Sequence, residues 1–279
     1  MATVGEGVHP RAAFPSARIV VLSPAFEDQH RAAREARLEL SLSSGPLPQG
    51  IPLHVKVDTG MGRWGLRDVV TSDANVVGLM SHLASADSDP AFTGLQIARF
   101  AEVAEAHPGL TCHLANSAGI LRYPAARFDA GRPGLALYGL SPFGADPADD
   151  GLAPVLSWRS AVAQVKRLEP GESTGYGRRF VAGEPTWIGI VPVGYADGFR
   201  RDAGGAVVLV AGERRPVVGT ISMDSLAVRL AGPVEPGTPV TLIGDGLLAE
   251  EHAARLGTIT YELACGIDSS PERARRVVV

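Results

Sequence analysis

The sequence predicts a parallel α/β sheet or barrel followed by an antiparallel β domain. Up to about residue 145, short apolar runs alternate with helical patterns. A Pro/Asp/Gly-rich stretch, "SPFGADPADDGLAP" at 141–154, then interrupts the pattern. Beyond it, apolar runs follow one another with turn residues between them. Near-continuous apolar strands joined through helices indicate a parallel sheet covered on both faces. Short strands punctuated by Gly and Pro indicate antiparallel pairing. The expected division is residues 1–150 and 151–279.

The first half supplies "ARIVVLS", "PLHVKVD", "VVGLMSH", "LTCHLAN" and "GLALYGL" as strands, and "MATV" reads as the end of a strand entering a turn. Asp89-Pro90 is a helix start. Ile97, Phe100, Ala101 and Ala104 then recur at helical spacing, and Pro108-Gly109 ends the pattern. The second half supplies "VLSWRSAVAQVKRLEPG", "TWIGIVPVGYADG", "GAVVLVAGERRPVVGTISMDSLAVRL" and "GTPVTLIGDG", with a short helix around "LLAEEHAARLG".

The runs of the first half end in polar or small residues: Lys56 and Asp58, then His82, then Asn116 and Ser117. Arg132 stands just before the last run. In a barrel of β/α units such strand ends converge on one face, where active sites lie. Four in succession predict a site. Lys56 is one of only two lysines, Lys166 being the other, among 26 basic residues. Its place after an apolar run leaves three roles open: nucleophile, cofactor anchor or structural cation.

Composition narrows the rest. A net charge of −4 offers no basic footprint for nucleic acid. No apolar run approaches the roughly 20 residues of a membrane span. The first residues lack the charged and apolar regions of a signal peptide, which favours the cytoplasm. Two cysteines, Cys112 and Cys265, make neither a disulfide framework nor a metal cluster, and are expected as buried thiols.

Seven segments then match one family in order and spacing: "HVKVDTGMGRWG", "HLANSAG", "RPGLALYG", "GESTGYGRRF", "VPVGYADGFRR", "GTISMDS" and "TITYELACGI". Together they resemble alanine racemase, an isomerase with a TIM-type barrel followed by a β domain. The resemblance spans about residues 2 to 268. It implies pyridoxal 5'-phosphate (PLP) as cofactor, alanine as substrate, D-alanine supply for peptidoglycan, a homodimer with shared active sites, and no metal. Such chemistry needs an electron sink, a phosphate anchor and two bases on opposite faces.

Residue by residue, the resemblance makes Tyr176 the catalytic base toward the L-isomer. A phenol titrates at about 10 unperturbed, so it needs a cationic or hydrogen-bonding setting, here expected from His82 and Arg132. Taken alone, a Tyr between glycines is more often a turn aromatic. Arg132 matches the arginine facing the pyridine nitrogen; a guanidinium only donates, so it discourages protonation there. Asn116, Ser117 and the backbone at Gly134 and Leu135 match the phosphate-binding groups, although "ANSAG" by itself is commonly a helix cap. Tyr195, Arg201, Met223 and Asp224 match residues of the substrate entrance; Met223 would otherwise default to core filler. Lys56 matches a lysine often carbamylated, pairing with Arg63, which orients cofactor and substrate.

The pattern departs from the family in three places. The PLP lysine sits on the family's first barrel strand in a motif of the type K-A-N-A-Y-G-H-G, and neither Lys56 nor Lys166 matches it. Ser269 stands where a phosphate-reaching tyrosine is usual, and Thr220 where an arginine is usual. The resemblance therefore implies a barrel lacking its first strand. Little racemisation is expected from this chain alone, together with poor solubility or partial disorder near residues 1 to 15. A non-catalytic homologue acting as a binding module, or a PLP-dependent racemase of another small amino acid, are the alternatives.

Overall fold

Thr3 and Glu6 start the chain as a helix where "MATV" alone reads as extended. The Thr3 hydroxyl accepts from the Glu6 N–H, and the Glu6 carboxylate accepts from the Ala2 N–H. This reciprocal cap launches α1 (Val4–Val8). A 3-10 turn at His9–Arg11 follows, so the expected disorder near residues 1 to 15 gives way to helical turns. In the computed structural model the described residues are 1–67, 69 and 75–278. They divide into two compact units, Met1–Gly134 and Leu135–Val279.

The first unit is a parallel sheet. Its elements are β1 (Val20–Val21), α2 (His30–Glu35), β2 (Glu39–Leu42), β3 (Leu53–Lys56), β4 (Val76–Met80), α3 (Pro90–Glu105), β5 (Thr111–His113) and α4 (Ser117–Arg122). The strands pair in sequence order, all parallel, as an incomplete barrel wall. A single parallel bridge from His113 to Ala130 extends the wall toward Arg132. β2, at "LELSL", is a strand that the apolar-run reading passes over, because its alternate residues are polar.

Side chains alternate between faces along each strand. One face carries Leu40 and Leu53, which join Val4, Ile19, Val21 and Leu38 in an apolar core. The opposite face carries Glu39 and Ser41, His54 and Lys56, and His113, all buried. The sheet thus turns a polar face inward, and its buried groups must find partners there. Helix α3 starts where Asp89 accepts the Phe92 N–H. It seats Phe100, fully buried, edge-on to Phe128 with centroids 5.0 Å apart.

The second unit pairs β6 (Trp158–Ala161), β7 (Gln164–Leu168), β10 (Thr186–Val191), β11 (Val207–Val210), β12 (Glu213–Val218), β13 (Leu226–Leu230) and β14 (Pro239–Ile243) into one antiparallel sheet, with the order β6-β14-β11-β12-β13-β10-β7. A small hairpin, β8 (Ser173–Thr174) with β9 (Phe180–Val181), stands apart from it. Val191, Val208, Val217, Val228, Val240 and Leu242 centre the core. The helices are α5 (Ala249–Leu256), ended by Gly257 at φ 62, and α6 (Thr260–Gly266).

Two expectations change here. "GLALYGL" is a 3-10 turn over Leu135–Tyr138 instead of a strand, burying Leu135 while Leu137 and Tyr138 face outward. Cys112 is buried as expected, whereas Cys265 lies on the outer side of α6 and is exposed. Removing the Phe100 ring leaves a cavity between α3 and the sheet. Phe100→Ala should destabilise the protein by about 3–5 kcal/mol, read from urea unfolding.

Candidate active site

In the first unit the polar strand ends converge on Arg132. Its backbone N–H donates to the Ala115 carbonyl, fixing the segment beside β5. One terminal nitrogen, Nη1, donates to the His113 carbonyl (2.9 Å) and to His113 Nδ1 (2.5 Å). The other, Nη2, donates to the carbonyls of Ser81 (2.6 Å) and Leu114 (3.0 Å) and approaches His82 Nδ1 at 3.4 Å. The remaining donor, Nε–H, is buried with no hydrogen-bond partner among the described residues. Burial pulls the guanidinium down to about 10, so it stays charged at neutral pH.

His82 and Lys56 share this field. Burial first, then the charges of Arg132, Lys56 and Arg63, push His82 down to about 4, leaving a neutral imidazole. Gln96 on α3 holds the strand end there: its Nε2 donates to the His82 carbonyl and its Oε1 accepts the Ala84 N–H. Lys56 is 4% exposed, and burial followed by Arg63 and Arg132 lowers it to about 8. Its Nζ lies 5.1 Å from the Trp64 ring centre, and the Arg63 guanidinium carbon lies 5.0 Å from the same centre. Among the described residues no carboxylate pairs with Lys56. Two cations on one ring with no counter-anion among the described residues form a site that calls for negative charge.

Asp58 is a turn former. Its carboxylate accepts the N–H groups of Gly60 and Gly62, shaping the loop that carries Arg63. Asn116 caps α4 through its Oδ1 on the Gly119 N–H (2.9 Å). Ser117 Oγ accepts the Gly134 N–H at 3.0 Å, closing a small cradle beside Arg132. A Cβ on Gly134 would meet nothing within 4 Å, so that side of the cradle is open.

In the second unit, Tyr176 lies in a 3-10 turn (Tyr176–Arg178) and is 69% exposed. Thr220 Oγ1 donates to its backbone carbonyl at 2.9 Å, anchoring this tyrosine's turn. Tyr195 N–H donates to the Ser222 carbonyl, and Ala196 N–H to that of Met223. These contacts bring Tyr195 and Met223, exposed, next to Asp224. Arg201 lines an open pocket of about 430 Å³ with Arg179, Arg200, Asp202, Gly219 and Thr220. The Leu135 carbonyl accepts the Leu140 N–H. Ser269 Oγ accepts from Arg276 (2.6 Å). Lys166 lies exposed on β7, an edge strand, where a charge discourages further pairing.

Two site histidines escape the apolar-run reading, His54 and His113. Their signal was alternation: polar residues at every second position of otherwise apolar strands, as in His54-x-Lys56.

Comparison with known proteins decides the family. Residues 1–142 match the model for the alanine racemase N-terminal domain, and residues 155–277 that for the alanine racemase C-terminal domain. The chain belongs to the alanine racemase family. It is 39% identical to the alanine racemase of Symbiobacterium thermophilum over 96% of this chain and 80% of that one. With the alanine racemase of Laribacter hongkongensis it shares 37% identity, over 93% of this chain and 78% of the other. The crystal structure of biosynthetic alanine racemase from Pseudomonas aeruginosa superposes with a TM-score of 0.88 at 35% identity, covering 96% and 82% of the two chains. The curled parallel sheet and the antiparallel sheet match this family's fold of a TIM-like N-terminal domain and a C-terminal β domain, and the family is PLP-dependent.

The neutral histidines of this alanine racemase family member set its acid stability. His82 and His113 titrate in the fold at about 4 and about 3, below an ordinary 6.5, chiefly through burial. Between pH 6.5 and 4.5 the unfolded chain therefore binds more protons, so stability falls as pH falls. The urea midpoint should drop through that window, and His82→Asn should flatten the drop.

Proposed function

We propose that this chain serves alanine racemisation, the interconversion of L- and D-alanine with PLP, supplying D-alanine for peptidoglycan. The observation that carries the reading is the Arg132 Nε–H. A buried, permanently charged donor without an acceptor costs about 1–3 kcal/mol or more, which a ligand acceptor would offset. The open cradle at Ser117 and Gly134 and the Arg63 guanidinium add the anion-seeking groups that a phosphate and a phenolate require. The residues present fit the cofactor in these parts.

PLP, when bound, supplies the electron sink that acidifies the α-hydrogen of an amino acid. Arg132 would face the ring nitrogen. Being unable to accept a proton from it or give one up, it keeps that nitrogen unprotonated and the sink weak, which favours racemisation over transamination. Asn116, Ser117, Gly134 and Leu135 would hold the phosphate, and Arg63 would orient the phenolic oxygen and the substrate. Tyr176 of one copy would take the α-proton on its phenolic oxygen, with His82 and Arg132 of the other copy in its network. Tyr195, Arg201, Met223 and Asp224 form the entrance. Tyr176, Tyr195 and Met223 are 69%, 41% and 56% exposed, an aromatic and apolar set that a second copy would cover. That supports a homodimer with shared sites. The reading takes residues 1–150 as the cofactor barrel, residues 151–279 as the β domain, and the cytoplasm as location. No described helix is long and apolar enough to cross a membrane.

Neither lysine suits the covalent anchor. Lys56 lies in the cation cluster facing Arg63, and Lys166 is exposed on an edge strand. A second reading is a homologue that binds without turnover. With added PLP and L-alanine in D2O, the chain should show slow α-hydrogen exchange and traces of D-alanine above PLP alone. Arg132→Leu should cut that excess at least tenfold, and borohydride should leave no pyridoxyl adduct on Lys56. An adduct there would make Lys56 the anchor, and no excess exchange would favour the second reading.

We assign the missing anion of the cluster to Lys56 as a carbamate. A lysine at about 8 has a reactive neutral fraction at neutral pH. In 13C-bicarbonate the wild type should give a carbamate resonance that Lys56→Arg removes.

A further inference from the structure

Glu39, His54 and His113 take no part in the chemistry above, yet they are 8%, 1% and 5% exposed and joined to one another. His113 Nε2 lies 2.8 Å from His54 Nδ1, and His54 Nε2 lies 2.7 Å from Glu39 Oε2. Glu39 closes the series on Arg18, with Arg18 Nε donating to Oε1 (2.7 Å) and Nη2 to Oε2 (2.8 Å). The Arg18 side chain is 59% exposed. An unbroken line of hydrogen bonds therefore runs from Arg132, through His113, His54 and Glu39, to the protein surface.

The line crosses the sheet by a gap. His54 is on β3 and His113 on β5, with β4 between them. At the crossing β4 has Gly78, directly paired with His54. A Cβ on Gly78 would lie 2.3 Å from His54 Nδ1, the atom that meets His113. Any other residue there would separate the two rings.

The two ends fix the sense of every proton in the line. A guanidinium can only donate, so His113 Nδ1 is bare and its Nε2 holds the hydrogen. His113 Nε2–H donates to His54 Nδ1, which leaves His54 protonated at Nε2. That hydrogen meets a carboxylate, which can only accept. Each imidazole is thereby held in one tautomer, and protonating either would set donor against donor. Burial favours the neutral rings and holds His113 at about 3. The Arg18 hydrogen bonds hold Glu39 at about 2, so the accepting end stays ionised.

We propose that Glu39 is a remote positioning residue for Arg132, acting through the fixed tautomers of His54 and His113 to orient the guanidinium with Nε–H turned away from the protein partners. The identity of the group facing Nε–H rests on the racemase reading; the line itself does not.

The test is long-range 1H–15N correlation on the 15N-labelled chain without cofactor, from pH 8 to 5.5. The charged and titratable groups facing the two rings are Glu39, Arg18, Arg132 and each other. In the wild type, His54 and His113 should each show bare Nδ1 and protonated Nε2, unchanged across the range. Glu39→Gln keeps the shape but removes the anionic acceptor. It should move the His113 and Arg132 Nε–H resonances, though neither residue touches Glu39. Gly78→Ala should do the same from the middle of the line. An Nδ1–H tautomer for His113 in the wild type, its titration within the range, or unmoved His113 and Arg132 signals in a folded Glu39→Gln would each overturn the proposal. The wild-type spectrum decides alone if the variants fail to fold. Because no turnover is read, a chain that does not racemise leaves this result intact, and wrong tautomers leave the racemase reading intact.

Discussion

A guanidinium stays charged at neutral pH and accepts no hydrogen bond, so burying Arg132 obliges its surroundings to supply acceptors. The protein does so with the carbonyls of Ser81, His113 and Leu114, which come from the ends of two neighbouring strands. Much else follows from that constraint. β4 and β5 must end at one level for those carbonyls to converge. The adjacent imidazoles must be neutral, because a second positive charge at 2.5 Å or 3.4 Å would be repelled. Lys56 is lowered in part by the same charge, and among the described residues no carboxylate pairs with it. The site is therefore built to receive negative charge and an acceptor atom, and only Nε–H is left to meet the latter.

Much of this was legible in the sequence. The strand-end residues Lys56, His82 and Arg132 could be picked out because each interrupts or follows an apolar run, and the structure gathers them within one field. Asp89-Pro90 marked the start of α3, since an aspartate cap and a proline in the first turn leave little else to form. The antiparallel second half was read from its turns. The family followed from motif order, a stronger signal than any one motif.

What was not legible has physical reasons. β2 escapes apolar-run counting because Glu39 and Ser41 face a polar interior, and such counting assumes that buried faces are apolar. His54 and His113 were hidden likewise, since a histidine within a strand is commonly a satisfied core group and only its spatial neighbours show otherwise. "GLALYGL" has strand composition, yet the backbone turns there to bury Leu135 and expose Tyr138. At the start, the extended preference of "MATV" yields to a cap between Thr3 and Glu6, three residues apart in sequence. Gly78 is the subtlest case. In sequence it is a weak point in a strand, whereas in the fold it is the gap through which two histidines meet.

Arg132 presents Nε–H to an acceptor which no described residue provides. A crystal structure of the chain soaked with PLP tests it most directly. The pyridine nitrogen should lie within hydrogen-bond distance of Arg132 Nε, with both terminal nitrogens still on the Ser81, His113 and Leu114 carbonyls. A cofactor bound with its ring nitrogen toward a carboxylate or solvent, or an Arg132 that leaves those carbonyls to meet it, would contradict the account.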